Sequence, residues 1–281
     1  MGQFTLGNLL KWASGQLASI TDTPALDARV LLQHVARRSH AELISHDKDF
    51  LPENEAETFR ELIRKRRKGM PVAYLTGERE FWSIVFKVTP ATLIPRPETE
   101  LLVEQTLAHI PKQQTFTVAD IGTGCGAIAL TIAYERPEIT LIATDISEEA
   151  LAVAKWNGER FGIRNVEYRC GHLMSPLDNK FCDVIVSNPP YIREDDPHLD
   201  EGDVAFEPSS ALVSGADGLD AIRMIARDAP RKLKARGWLV IEHGYEQAHQ
   251  VRAILKHEAF SSIETRCDLS GHERITQGRL A

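Results

Sequence analysis

The fold of this chain is decided by residues 117–130, which read TVADIGTGCGAIAL. A short run of mostly apolar and β-branched residues is followed by Gly122, Gly124 and Gly126, and then by an apolar helical pattern. Glycines at such a junction allow a tight turn and a close approach of the backbone to a ligand. The spacing G-x-G-x-G differs from the G-x-G-x-x-G expected for dinucleotides, which favours S-adenosylmethionine over NAD. Taken alone, the glycines are also compatible with an ordinary strand-to-helix turn.

This stretch and the segments that follow it alternate between short β-branched runs and amphipathic helical patterns. Such alternation predicts a parallel sheet with helices on both faces, which is an α/β fold. Strands are expected at 117–121, 140–144, 166–170, 181–187 and 238–242, with two further strands near 262–267 and 274–276. Helices are expected at 126–135, 148–160, 218–236 and 245–257.

The first part of the chain has a different pattern. Apolar residues recur at helical spacing up to about residue 70, and residues 81–88 then alternate in a way typical of a strand or hairpin. We therefore divide the chain into a helical domain (1–73), a β-hairpin linker (74–95) and an α/β domain (96–281).

Composition narrows the classes of function. The formal net charge of −7 disfavours a general nucleic-acid binder, because affinity for a phosphate backbone comes largely from clustered Lys and Arg. The four cysteines contain no C-x-x-C pair and suggest neither a metal site nor a disulfide framework. No apolar run approaches the length of a membrane span. We expect a cytoplasmic protein without a metal, a membrane segment or direct contact with nucleic acid.

Two further features complete the candidate site. Asp145 follows the second predicted strand of the sheet, where a carboxylate can accept hydrogen bonds from both hydroxyls of a ribose. It could instead be an ordinary acid at a helix start. Residues 187–192, which read SNPPYI, follow an apolar strand at the edge where parallel sheets bind ligands.

The chemistry of an amide or aromatic amino group explains the second motif. Such a nitrogen is a poor nucleophile, because its lone pair is delocalised. The side-chain carbonyl of Asn188 and the main-chain carbonyl of Pro189 are acceptors that suit an NH2 group, and Tyr191 can pack flat on a planar substrate. Pro190 helps to hold the turn rigid. We therefore predict methyl transfer to a planar nitrogen, with Asn188, Pro189, Pro190 and Tyr191 as the catalytic site.

In its motifs the chain resembles the release factor glutamine methyltransferases. Residues 188–191 (NPPY) resemble a motif shared by amino-group and amide methyltransferases, and that motif alone does not separate protein from nucleic-acid substrates. Residues 93–100 (LIPRPETE) are typical of the release factor family. Further matches are Phe81 and Trp82, Glu207 and Pro208 followed by Ala211 and Leu212, Gly215 with 217–219, and Glu242 with Gly244.

The resemblance implies a Rossmann-like class I S-adenosylmethionine methyltransferase fold with a substrate-recognising N-terminal helical bundle. It implies N5-methylation of the glutamine in the Gly-Gly-Gln loop of class I peptide chain release factors, with S-adenosylhomocysteine as product. The residues expected to bind the cofactor are Gly122, Thr123, Gly124, Cys125, Gly126, Asp145, Leu173 and Asn188.

Three points stay open on the sequence alone. Methylation of an adenine or cytosine amino group in nucleic acid is the alternative reaction, and a non-catalytic cofactor-binding module is a third interpretation. His172 and Leu173 stand where the family often has an acid and an aromatic, so Leu173 is expected to cover the adenine ring without an acid beside it. The basic run 64–68 is either a solvated helix end or a contact for an acidic partner.

Overall fold

The structure is a computed structural model that describes residues 5–112 and 114–281. The described residues form two compact units. The first runs up to Glu78 and includes the later segment His198–Phe206, and the second comprises Arg79–Pro197 and Glu207–Ala281. Residues 1–4 of the predicted helical domain and residue 113 of the predicted α/β domain lie outside the described residues.

The first unit is helical, as the apolar spacing predicts. Its described α-helices are α1 (Leu6–Leu17), α2 (Pro24–Ala36), α3 (His40–Ser45), α4 (Glu53–Arg67) and α5 (Val72–Thr76). Thr5 begins α1 by accepting a hydrogen bond from the N–H of Asn8 at 3.3 Å, and Ser39 begins α3 with a capping box completed by Glu42. The apolar sides of α1, α2 and α4 share one core, in which Phe59 is fully buried.

Arg66 of α4 is a buried cation inside this unit. Its Nε donates to Asp27 Oδ2 at 2.8 Å, and its Nη1 donates to Asp203 Oδ1 at 2.9 Å. The basic run 64–68 is therefore not a uniform charged surface. Arg64, by contrast, is exposed and pairs with the glutamates of its own helix, Glu57 and Glu61.

A two-stranded hairpin of β1 (Glu78–Phe81) and β2 (Ile84–Lys87) follows the helices. Trp82 and Ser83 both have positive φ, as expected for the tight turns whose twist matches that of hairpin strands. The N–H of Trp82 donates to Glu100 Oε1 at 2.7 Å, and its indole Nε1 donates to Glu135 Oε1 at 2.9 Å. These bonds attach the turn of the hairpin to helices of the second unit.

A seven-stranded sheet forms the centre of the second unit. Its strands are β3 (Thr117–Ile121), β4 (Thr140–Asp145), β5 (Val166–Cys170), β6 (Cys182–Ser187), β7 (Leu233–Glu242), β8 (Phe260–Cys267) and β9 (Glu273–Leu280). Their order is β5-β4-β3-β6-β7-β9-β8, and every pairing is parallel except those of β9 with β7 and β8. All five residues of β3 are buried, as expected for a central strand covered on both faces.

The described α-helices of this unit are α6 (Glu100–Ala108), α7 (Ala127–Glu135), α8 (Glu148–Arg160), α9 (Asp220–Lys232) and α10 (Ala248–His257). The Rossmann-like α/β prediction is confirmed, but the expected extension of a helix to Arg236 is wrong. The helix ends at Lys232, because Leu233 is fully buried in the sheet opposite Cys182. None of the described helices is both long and apolar enough to cross a membrane.

The strand order fixes where a ligand can enter. After β3, the chain forms β4 and β5 on one side of that strand and then returns to form β6 on its other side. The connections that follow β3 and β6 start at neighbouring strand ends and then run in opposite directions, which opens a crevice at the carboxyl edge of the sheet.

Candidate active site

The glycine loop and the NPPY segment leave the sheet side by side. β3 and β6 pair in parallel, and the last pair in their register is Ile121 with Ser187. The hydroxyl of Ser187 donates to the carbonyl of Ile121 at 2.7 Å, which joins the two strand ends. The residues that follow, Gly122 and Asn188, therefore emerge at the same place although 66 positions separate them in the chain.

A cavity of about 410 Å³ opens at this edge. The loops after β3, β4, β5 and β6 line it, together with residues 91–93 and several residues between 208 and 224. Its volume lies in the range of small-molecule sites. Among the residues predicted from the sequence, those that line the cavity are Gly122, Gly124, Asp145, Leu173, Asn188 and Pro190.

The glycine loop has the conformation that its sequence requires. Gly122, Gly124 and Gly126 all have positive φ, which strains any residue with a side chain. A Cβ atom at Gly122 or Gly124 would meet nothing within 4 Å, so the backbone there faces open space. A Cβ atom at Gly126 would lie 2.9 Å from Leu130 and 3.1 Å from Ala154. The first two glycines leave room for a ligand, and the third allows close packing against α7 and α8.

Asp145 links the glycine loop to the loop that follows β4. Its Oδ2 accepts a hydrogen bond from the N–H of Gly124, and its Oδ1 accepts one from the N–H of Ser147, both at 2.9 Å. A carboxylate oxygen can accept more than one hydrogen bond, so both oxygens retain capacity for ribose hydroxyls.

Thr123 and Cys125 are buried under the loop and do not line the cavity. The Thr123 hydroxyl donates to Asp120 Oδ2 at 2.7 Å, and burial raises the pKa of the Cys125 thiol to about 12. A thiol with such a pKa is protonated at neutral pH and is not a nucleophile. Burial likewise raises the pKa of Asp120 to about 7, against the hydrogen bond from Thr123 and with a contribution from the charge of Asp145.

Asn157 of α8 supports the same loop and was not foreseen from the sequence. Its Nδ2 donates to the carbonyl of Cys125 at 2.9 Å and to the carbonyl of Lys87 at 3.0 Å, while its Oδ1 accepts from the N–H of Lys87 at 2.8 Å. The side chain is fully buried and thus ties the glycine loop to β2.

The Asn188 side chain makes a hydrogen bond through its amide nitrogen and leaves its amide oxygen without a partner among the described residues. Nδ2 donates to the hydroxyl of Thr99 at 3.3 Å, whereas Oδ1 makes no hydrogen bond within the described residues. Asn188 therefore presents a free acceptor beside the glycine loop. Pro190 also lines the cavity, whereas the Pro189 side chain is buried and does not line it.

Tyr191 differs from the expectation that its ring would lie against a planar substrate. It does not line the cavity, and its ring packs against the apolar core beneath it. Burial raises the pKa of its phenol, with a smaller contribution from the charge of Glu242. The Tyr191 carbonyl accepts a hydrogen bond from Gln247 Nε2 at 3.0 Å, so this residue anchors the end of the NPPY turn.

Glu207 joins two walls of the cavity. Its side chain is completely buried; Oε1 accepts from the N–H of Ile94 at 3.1 Å and Oε2 pairs with the Arg96 guanidinium. The segment around residues 91–93 and the loop that begins at Pro208 are thereby fixed to each other. Residues 94, 96 and 207 all belong to segments that resemble the family, but the sequence did not indicate that they touch.

Within the part of the chain that the structure describes, no three His, Cys, Asp or Glu side chains are grouped so as to hold a metal ion.

Comparison with known proteins connects this site to a family. The model of the PrmC N-terminal domain matches residues 8–77, and the model of the methyltransferase small domain matches residues 98–207. The release factor glutamine methyltransferase of Pseudomonas aeruginosa is 48% identical over 266 residues, which cover 94% of this chain and 96% of the relative. That of Xylella fastidiosa is 46% identical over 254 residues, which cover 90% of this chain and 92% of the relative.

The chain belongs to the release factor glutamine methyltransferase family.

The N-terminal family model ends close to a structural boundary of this member. The PrmC N-terminal model ends at residue 77, next to the boundary of the two units at Glu78, and the methyltransferase small domain contains both the glycine loop and the NPPY segment. A solved methyltransferase from Pyrococcus furiosus has the same fold, with a TM-score of 0.53 at 16% identity over 78% of this chain and 96% of that one.

Proposed function

We propose that the protein transfers the methyl group of S-adenosylmethionine to the side-chain nitrogen N5 of the glutamine in the Gly-Gly-Gln loop of class I peptide chain release factors. The observation that carries the proposal is the parallel register of β3 and β6. It brings the free Oδ1 acceptor of Asn188 into one cavity with the open glycine loop.

The residues of the cavity fit S-adenosylmethionine. Asp145 offers carboxylate oxygens to the ribose, and the backbone at Gly122 and Gly124 has open space where side chains would otherwise project. Leu173 lines the same cavity and offers an apolar surface to the adenine. When bound there, the cofactor supplies a methyl group that is electrophilic because it is attached to a sulfonium.

Asn188 and Pro189 act on the substrate amide. The Asn188 Oδ1 and the Pro189 carbonyl accept hydrogen bonds from the two N–H bonds of the glutamine NH2 group and direct its nitrogen toward the methyl carbon. Positive charge develops on the nitrogen as the new N–C bond forms and the C–S bond breaks, and two nearby oxygens stabilise that charge. The nitrogen becomes acidic only at this stage, so a proton is lost to water after transfer and no base is needed before it.

The test is methylation of a class I release factor that was produced without its methyltransferase. Incubation with isotopically labelled cofactor should add one methyl group to the tryptic peptide that contains the Gly-Gly-Gln loop, as measured by mass spectrometry. A factor with the loop glutamine changed to alanine should gain none. A wild-type factor that remains unlabelled would contradict the proposal, and label in duplex DNA would favour the alternative reaction.

A further inference from the structure

A buried carboxylate lies next to Asn188 across the sheet. Ser187 of β6 pairs with Ile241 of β7, and the next residues in the two strands are Asn188 and Glu242. Glu242 is only 2% exposed, and its Oε2 has no hydrogen-bond partner among the described residues. Burying a carboxylate oxygen without a partner costs free energy.

Thr99 connects this carboxylate to the amide of Asn188. Thr99 is 4% exposed, and its hydroxyl accepts a hydrogen bond from Asn188 Nδ2 at 3.3 Å. Hydrogen bonding by the Thr99 side chain also lowers the pKa of the Glu242 carboxyl. A hydroxyl has one proton to donate. When Thr99 gives that proton to Glu242, only its lone pairs remain for Asn188, and these accept only from an N–H group.

The two ends of the Asn188 amide have nearly the same shape and opposite hydrogen-bonding character. A Thr99 lone pair selects the orientation with Nδ2 toward Thr99 and Oδ1 toward the cavity. The opposite orientation would present N–H groups to the substrate NH2, which cannot accept them.

We propose that Glu242 is a positioning residue, which acts through Thr99 to keep the Oδ1 atom of Asn188 directed at the substrate amide. The proposal rests on the proposed function, because it concerns how that reaction orients its substrate. Ionised Glu242 can only accept a hydrogen bond, so the Thr99 proton points to Glu242. Thr99 then accepts from Asn188 Nδ2, and Asn188 Oδ1 faces the substrate. Protonated Glu242 can donate to Thr99, whose proton is then free to turn toward Asn188 and favour the inverted amide.

Burial and the charged groups around Glu242 together set the pH at which its carboxyl loses its proton. Burial raises the pKa of Glu242 to about 7; the Thr99 hydrogen bond and Arg274 oppose the rise, Glu98 adds to it and Arg96 opposes it. The Tyr191 phenol also lies within its influence and stays neutral.

His243 follows Glu242 in the chain but is engaged elsewhere. Its ring nitrogens bond to the Gly244 carbonyl and to the hydroxyl of Thr276. Burial lowers the pKa of this imidazole, so His243 adds no charge near pH 7. Burial also raises the pKa of Asp120 to about 7. A change in turnover near that pH is therefore assigned to Glu242 by its loss in Glu242→Gln and its retention in Asp120→Asn.

The test compares the full-length protein with Glu242→Gln, Asp120→Asn, Thr99→Val and Thr99→Ser variants, using an unmethylated class I release factor as substrate. kcat and KM for the factor are measured between about pH 5.5 and 8.5, and cofactor binding is measured by calorimetry. Glu264→Gln, at an exposed position of β8, and Thr131→Val, in α7 away from the cavity, serve as matched controls.

We expect the wild-type kcat to rise as pH increases through about 7 and the Glu242→Gln variant to lose that rise. At alkaline pH, both Glu242→Gln and Thr99→Val should lower kcat about tenfold, with cofactor affinity unchanged. Thr99→Ser keeps the hydroxyl and should retain most of the activity. The two control variants should follow the wild type at every pH.

A Glu242→Gln variant with the wild-type kcat and pH profile would overturn the inference while leaving the proposed function intact. Equal activities of Thr99→Val and Thr99→Ser would do the same, and this pair remains informative if the Glu242 variant does not fold. A wild-type protein that fails to methylate the factor removes the proposed function, and the inference with it.

Discussion

Asn188 is the side chain on which the reaction depends most directly. Its Oδ1 has no partner in the described residues and its Nδ2 is held by Thr99, so Asn188→Ala removes one acceptor for the substrate without disturbing the glycine loop. We expect kcat to fall by about a hundredfold, as when a comparable transition-state hydrogen bond is lost. Calorimetry should show a much smaller change in the Kd for S-adenosylmethionine than the change in kcat. Parallel losses in kcat and cofactor affinity would contradict this division of roles.

Two buried carboxyl groups make stability depend on pH. Burial raises the pKa of Asp120 from 3.8, and that of Glu242 from 4.5, to about 7 in the folded protein. The folded state thus binds protons more tightly than the unfolded state, and the resulting stabilisation is present at low pH and lost as pH rises through about 7. We expect the free energy of unfolding to decrease between about pH 5 and 7.5.

The measurement is urea denaturation at several pH values, with Asp120→Asn/Glu242→Gln as the comparison. The double variant should show a flatter dependence in this interval, since amides do not titrate there. An equally steep fall in the double variant would mean that other groups cause it.

Much of the site was predictable because its motifs lie next to strands. The glycines after 117–121 and the NPPY segment after 182–187 follow buried strands, and parallel strands bring their carboxyl ends to one edge. Thr99, Asn157 and Glu207 could not be placed in the same way. Each acts on a partner 70 or more positions away in the chain, and only the folded sheet brings such pairs together.

The sheet also corrects a boundary that local pattern could not give. Residues 233–236 continue the helical spacing of α9, and Gly237 is a plausible helix end. Leu233 instead pairs with Cys182, because burial of that leucine in the sheet outweighs the local preference for a helix.

The third glycine of the loop offers a test of packing between the loop and its helices. Gly126 and Gly162 both have positive φ, but a Cβ atom at Gly126 would overlap Leu130 and Ala154, whereas one at Gly162 meets nothing within 4 Å. We expect Gly162→Ala to cost about 1 kcal/mol from backbone strain alone. Gly126→Ala should cost roughly 3 kcal/mol, since overpacking adds to the strain.

Urea denaturation of both variants gives the comparison, and calorimetry should show weaker cofactor binding for Gly126→Ala only. Equal stability of the two variants would show that the loop and α8 separate easily.

In the helical unit, a single buried arginine connects distant parts of the chain. Arg66 pairs with Asp27 and Asp203, and its side chain is only 10% exposed. Arg66→Ala leaves Asp27 buried without its partner and should destabilise the protein by about 3 kcal/mol. Arg64→Ala, on the same helix, removes only exposed ion pairs and should change stability by less than about 1 kcal/mol. Thermal unfolding of the two variants checks the difference, and similar melting temperatures would argue against the buried pairs.

The return of His198–Phe206 to the first unit means that the backbone passes from one unit to the other three times, after Glu78, after Pro197 and after Phe206. One cut therefore cannot separate the protein into two complete halves. A fragment that begins after Glu78 still carries Asp203 without Arg66, and a fragment that stops there has lost the nine residues that complete its own fold. When the gene is split at this junction, the two fragments should be functional only when they are produced together.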